Sequence, residues 1–185
     1  MNEHDIVYTP DTLAKSIVNR YRPSGKVLEP CRGNGAFTKY MPNCDWCELQ
    51  SQRDFFDYTQ HVDWIVSNPP YSLWNEWLVH SFEIADNIVY LIPFAKIMRT
   101  WKTIRSIFEY GGIVEIVFVG PGNRAGFRYG FPCGVVYMKR NYCGPIAVYI
   151  ADDTFVGAHK NKEESENSVQ QAVGQNDCYV FEKVL

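Results

Sequence analysis

The chain has 185 residues, 46% of them hydrophobic and 15% aromatic, and a formal net charge of −3. That length suits one domain, and so much apolar and aromatic side chain excludes global disorder. The slight acidic excess rules out a chain that grips nucleic acid through overall basicity, so any basic contact surface has to be local.

The first element is a helix over Tyr8-Thr9-Pro10-Asp11 to about Tyr21, with Thr9 as cap, Pro10 in the first helical position and Asp11 against the dipole. Leu13, Ile17 and Val18 make its apolar face, and Arg22-Pro23-Ser24-Gly25 is a turn. Lys26 to Pro30 is a short strand that runs into the glycine-rich turn Cys31-Arg32-Gly33-Asn34-Gly35, after which a helix starts at Ala36. Asp45 to Leu49 and Asp63 to Ser67 are the next strands, the latter ending at Asn68-Pro69-Pro70-Tyr71. An amphipathic helix spans Trp74 to Ala85, a strand Asn87 to Pro93, and a single helix Ile97 to Tyr110. Strands over Gly112 to Val119, Cys133 to Met138 and Ile146 to Ile150 follow. The segment from His159 to Gln175 is polar, and Cys178 to Phe181 can return as an edge strand.

Apolar strands alternating with helices predict an α/β fold: a Rossmann-like, doubly wound, mainly parallel sheet covered on both faces, with an antiparallel hairpin at its edge from the closely spaced late strands. The expected organisation is one domain over residues 1–156 and a polar tail over 157–185. Ligands in such sheets bind at the carboxyl ends of strands where strand order reverses.

Six cysteines are present, and Cys44 and Cys47 form a C-x-x-C pair. No second pair and no pair of histidines completes a zinc site, so reduced cysteines and no metal are expected. The longest apolar runs fall well short of the roughly 20 residues of a membrane span. No charged-then-apolar leader pattern opens the chain. A cytoplasmic setting without a membrane partner is expected.

Gly33 and Gly35 lie at the end of the first strand, where glycine permits a backbone path and a close approach that a side chain would block. Such a turn fits an ordinary strand-to-helix connection or a ligand-binding loop equally well. Glu48, at the end of the next strand, stands where an acidic residue accepts hydrogen bonds from ribose hydroxyls in doubly wound folds. Asp54-Phe55 can hold an exocyclic amine and cover a purine face. In Asn68-Pro69-Pro70-Tyr71 the prolines fix φ, and Asn68 is held extended by the proline after it. The Asn68 amide oxygen and the Pro69 carbonyl can then converge on a planar –NH2, with Tyr71 stacked on the ring that carries it.

Two segments offer basic side chains. Lys96, Arg99, Lys102 and Arg105 recur every third residue in a slanted band, which suits a solvated surface as well as a binding strip. The stretch Asn123 to Gly130 mixes Arg124 and Arg128 with Phe127 and Tyr129, a composition suited to phosphate contact and base stacking.

These motifs resemble those of the DNA N6-adenine methyltransferases, whose signature is Asn/Asp-Pro-Pro-Tyr/Phe. The resemblance runs from about Tyr8 to Met138, in the order of the gamma arrangement. It implies S-adenosylmethionine as cofactor, bound by Tyr8, Thr9 and Pro10, by Glu29, Pro30, Cys31, Gly33, Gly35 and Phe37 of the glycine loop, and by Glu48, Asp54, Phe55 and Asn68. Asn68, Pro69, Pro70 and Tyr71 are the implied catalytic element. Substrate contacts fall on Tyr71, Arg124, Phe127 and Arg128, with Phe131 resembling the aromatic that packs on a flipped base. The partner is expected to be nucleic acid, DNA first. Little chain follows the last strands, so target preference is expected to be short or supplied by a protein partner. The same chemistry on RNA or on a protein glutamine amide, and a non-catalytic binding module on a methyltransferase fold, are the alternatives.

Overall fold

A computed structural model describes residues 7–157 and 179–181. The polar stretch from His159 to Gln175 and Cys178 lie outside the described residues. No helix among the described residues is long and apolar enough to cross a membrane.

The frame is one mixed sheet of eight strands: β1 (Val27–Glu29), β2 (Asp45–Trp46), β3 (Val62–Ser67), β4 (Ala85–Pro93), β5 (Gly111–Pro121), β6 (Pro132–Arg140), β7 (Ile146–Ile150) and β8 (Tyr179–Phe181). Their spatial order is β2-β1-β3-β4-β6-β5-β7-β8. β2, β1, β3 and β4 run parallel. β6 lies antiparallel between β4 and β5, β7 is parallel to β5, and β8 closes the far edge antiparallel to β7. The hairpin β5–β6 thus has two further strands beyond it.

Alternation along the strands divides the core into two layers, as a sheet covered on both faces requires. Ile88, Tyr90 and Ile92 of β4 pack with Ile65, Val136 and Met138 under α2 (Trp74–Ile84) and α4 (Trp101–Tyr110). Val89 and Leu91 face the other way, with Val66, Val117 and Val135, under α1 (Asp11–Tyr21) and α5 (Asp153–Val156). Leu13, Ala14, Ile17 and Val18 form the buried stripe of α1 at helical spacing.

Several local expectations shift. α1 begins at Asp11, with Pro10 in the cap position and no side-chain cap. Thr9 lies one residue before the cap position, and its hydroxyl accepts from Asn68 Nδ2 instead. After the glycine turn the chain makes only a short 3-10 turn, Thr38–Tyr40, and the second strand is two residues long. The helix expected over Ile97 to Tyr110 is two: α3 (Ala95–Met98) and α4. Thr100 divides them, because its side chain accepts from the Thr103 N–H at 3.1 Å and caps α4.

The chain leaves β1 for β2 on one side and returns to β3 on the other, so strand order reverses between β1 and β3. The crevice at their carboxyl ends is where the glycine turn and Asn68-Pro69-Pro70-Tyr71 emerge.

Candidate active site

Two adjoining cavities open at this crevice. One, of about 170 Å3, is lined by Val7, Tyr8, Thr9, Cys31, Arg32, Gly33, Asn34, Ala36, Phe37, Glu48, Gln50, Ser51 and Asn68. The second, of about 90 Å3, is lined by Pro30, Cys31, Glu48, Leu49, Asp54, Phe55, Phe56, Pro70, Leu73 and Trp77. Cys31 and Glu48 belong to both. The first wall mixes polar and apolar groups about evenly and is the more polar of the two, whereas the second is largely aromatic and aliphatic.

The glycine turn is shaped for this. Gly33 has φ of +51°, and a Cβ there would meet the Tyr8 ring at 3.4 Å. The Gly33 N–H donates to Glu48 Oε2 at 2.7 Å, and Glu48 Oε1 accepts from the Gln50 N–H at 3.3 Å. Each carboxylate oxygen keeps a lone pair for a ligand hydroxyl. Arg32, bulky for this loop, lies over the Trp46 ring at 4.5 Å. Cys31 is a neutral thiol: burial, then the charge of Glu48, pushes it up to about 12.

In the second cavity Asp54 Oδ1 accepts from the Phe56 N–H at 3.0 Å, which leaves Oδ2 for a ligand. His80 on α2 lies 3.0 Å from the Phe55 and Tyr58 carbonyls through Nε2, which must therefore carry the proton. It pins the turn that presents Asp54 and Phe55. The Trp77 indole N–H is buried without a hydrogen-bond partner.

Asn68 joins the polar cavity to the Tyr71 side of the crevice. Its Nδ2 donates to the Val7 carbonyl at 3.2 Å and to Thr9 Oγ1 at 3.1 Å. A carbonyl can only accept, so the amide orientation follows. Asn68 Oδ1 accepts from the Tyr71 hydroxyl at 2.9 Å and keeps a second lone pair. Lys96 Nζ donates to the Tyr71 carbonyl at 2.8 Å. The Tyr71 ring meets Phe131 edge-on, with centroids 5.9 Å apart at 88°, and Phe131 stacks on Tyr129 at 6.0 Å. A ring face and a ring edge are thus presented beside Asn68.

Most of the residues expected at the cofactor site line the cavities: Tyr8, Thr9, Cys31, Gly33, Phe37, Glu48 and Asn68 the polar one, Pro30, Asp54 and Phe55 the apolar one. Three do not. Pro10 packs beside Gly126, Gly35 turns the chain beside Thr38, and Glu29 is fully buried beneath the turn. Glu29 Oε1 accepts from the Ser67 hydroxyl at 2.9 Å, linking β1 to the residue before Asn68, while Oε2 is buried without a partner. Burial holds its carboxyl well above the usual range, although the Ser67 bond pulls the other way, so Glu29 is a neutral, positioning group.

The loop 122–131 departs further. The Arg124 guanidinium donates to the Val119 carbonyl at 2.9 Å, the Ala151 carbonyl at 3.0 Å and Asp153 Oδ1 at 2.9 Å, so it ties β5 to α5 and is not free for phosphate. Phe127 is 6% exposed and packs in the core, so it cannot stack on a base. Arg128 is exposed. Val7, Trp77 and His80 were not anticipated, since their roles come from contacts between segments distant in the chain. Cys44 and Cys47 are free thiols, and no metal-binding cluster occurs among the described residues.

No family model matches the sequence, and no curated protein matches it either. Solved structures do match in fold. A type I restriction-modification methyltransferase subunit from Streptococcus thermophilus superposes with a TM-score of 0.58 at 14% identity, over 78% of this chain and 47% of that one. The M protein of the type I restriction enzyme EcoKI gives 0.59 at 13%, over 77% and 48%. A chain of the DrdV–DNA complex gives 0.57 at 13%, over 80% and 28%. This chain spans less than half the length of each of these. The fold is that of the class I S-adenosylmethionine-dependent methyltransferases.

Proposed function

We propose that this chain transfers the methyl group of S-adenosylmethionine to the N6 amine of adenine in DNA, with a short or weak sequence preference, and that a protein partner adds target recognition. The observation that carries the reading is Asn68: its amide is oriented from the Val7 and Thr9 side, at the boundary between the polar cavity and the Tyr71–Phe131 pair.

The cavities suit the cofactor. The polar one offers Thr9, Asn34, Glu48 and Asn68 to an amino-acid end and a ribose. The apolar one offers Phe55 and Phe56 to a purine and Asp54 Oδ2 to an exocyclic amine. S-adenosylmethionine supplies an electrophilic methyl group on a sulfonium. The protein's own part is orientation. Asn68 Oδ1 and the Pro69 carbonyl accept the two protons of the amine, which localises its lone pair and stabilises the charge that grows on nitrogen. Tyr71 and Phe131 hold the base plane, and alignment supplies much of the acceleration in such a displacement. A duplex base has to be flipped out to arrive there. The fold neighbours among restriction-modification subunits, and the one in complex with DNA, support DNA as the carrier.

Tritiated-methyl transfer onto unmethylated DNA, RNA and protein, followed by nucleoside analysis, tests this. Label is expected in N6-methyladenine of DNA. Asn68→Ala is expected to lower the rate on the order of 100-fold or more while calorimetry still detects S-adenosylmethionine binding. Label only in RNA or protein, or a variant as fast as the parent, overturns the reading.

A further inference from the structure

The bend between α3 and α4 is the part of the surface that the site description leaves unused. Trp101 there is 73% exposed and Met98 58% exposed, and Arg99 and Lys102 beside them are exposed as well. From residue 87 to residue 108 the chain has no acidic residue but four basic ones, in a protein of net charge −3. Arg105 is paired with Glu109 at 3.0 Å, whereas Arg99 and Lys102 have no carboxylate partner among the described residues. A groove of about 340 Å3 runs between this bend and the transfer element, walled by Tyr71, Ser72, Trp74, Lys96, Arg99 and Thr100 among others. Trp74 is 4% exposed, and its indole N–H is buried without a partner.

These features belong together. An indole left in water contributes nothing to the core, and its open face takes a flat partner. Cations without carboxylates keep their charge for an anionic ligand. The groove begins at Tyr71, so whatever occupies it adjoins the group held at Asn68. Lys96 already fixes the Tyr71 carbonyl at 2.8 Å, which couples the bend to the transfer element.

We propose that the α3–α4 bend seats the DNA strand that carries the target base, with Arg99 and Lys102 on phosphates flanking the flipped nucleotide and Trp101 stacked on a neighbouring base. This rests on the reading of the chain as a DNA methyltransferase. A stacking side chain and local phosphate contacts are what a chain without overall basicity needs for a single strand.

The test uses the full chain, a fluorescent DNA oligonucleotide and titrations over a range of salt. The variants are Trp101→Ala and the double variant Arg99→Ala/Lys102→Ala. Lys139→Ala is the control: Lys139 pairs with Asn87 near the start of β4, at the opposite end of the sheet from Asn68. Trp101→Ala is expected to weaken DNA binding about tenfold. The double variant should do the same and reduce the salt slope by about 2. In both, KM for DNA rises while kcat at saturating DNA, S-adenosylmethionine affinity and melting temperature stay at parental values, and Lys139→Ala changes nothing. If the parent methylates DNA and the variants keep its KM and salt slope, this surface is not the seat and the activity stands without it. If the parent neither binds nor methylates DNA, the functional reading fails, and this inference with it.

Discussion

Arg124 and Phe127 of the loop at 122–131, and Arg99 and Trp101 of the α3–α4 bend, are the same kinds of side chain on the rim of the same sheet. In the loop the guanidinium uses its donors on two carbonyls and a carboxylate, and the aromatic is buried. At the bend the guanidinium has no carboxylate partner among the described residues, and the indole stands in water. The loop, with its glycines and mixed aromatics, has the composition of a nucleic-acid contact. The bend has the unsatisfied chemistry of one. Composition names what a segment can bind, but only the partners it already holds decide whether it is free to bind.

The comparison breaks most easily at Phe127. Phe127→Ala empties part of a packed layer and is expected to cost about 3–5 kcal/mol, seen as a lower denaturation midpoint, with oligonucleotide affinity of the folded fraction unchanged. Arg124→Ala strands two carbonyls and Asp153 and is expected to cost about 2–3 kcal/mol, again with affinity unchanged. A variant at Arg124 that melted like the parent yet lost DNA binding would reverse the roles of the two regions.

Glu29 sharpens the same distinction through pH. Its carboxyl, ordinarily near 4.5, is raised by burial, so above that value the unfolded chain has released a proton that the folded chain retains. Stability therefore falls as pH rises from 4.5 towards the folded value, by at most about 1.4 kcal/mol per pH unit from this one proton. Glu29→Gln keeps an acceptor for Ser67 and removes that slope. Urea denaturation from pH 5 to 8 is expected to give a flatter profile for the variant. An unchanged slope would mean that Glu29 ionises freely in the fold.

Much of the candidate site was legible because its signals are local. The apolar run Ile65-Val66-Ser67 followed by Asn68-Pro69-Pro70 announces a strand end with a fixed exit, and Gly33 marks a turn that needs a positive φ. The division of the α3–α4 segment was missed, because its basic and apolar residues read as one helix from Ile97 to Tyr110, although Thr100 before an apolar-periodic stretch is a natural cap. Thr9 shows the opposite case. Next to Pro10 it reads as a helix cap, yet its hydroxyl accepts from Asn68, 59 residues away. Glu29 reads as a ligand-facing acid at a strand end, and only the layers packed around β1 make it a buried neutral group bonded to Ser67.

The sequence by itself determined the alternating α/β pattern, the turn after β1, the stiff exit after β3 and the residue types that line the crevice. These follow from torsional limits and periodicities acting over a few neighbouring residues. The tertiary structure alone decided that Val7 and Thr9 orient Asn68, that Glu29 is sealed beneath the glycine turn, that Arg124 is consumed in holding α5, and that Arg99 and Trp101 are left open. Those outcomes depend on which distant segments compete for each donor, acceptor and apolar face, and that competition is settled only when the sheet brings them together.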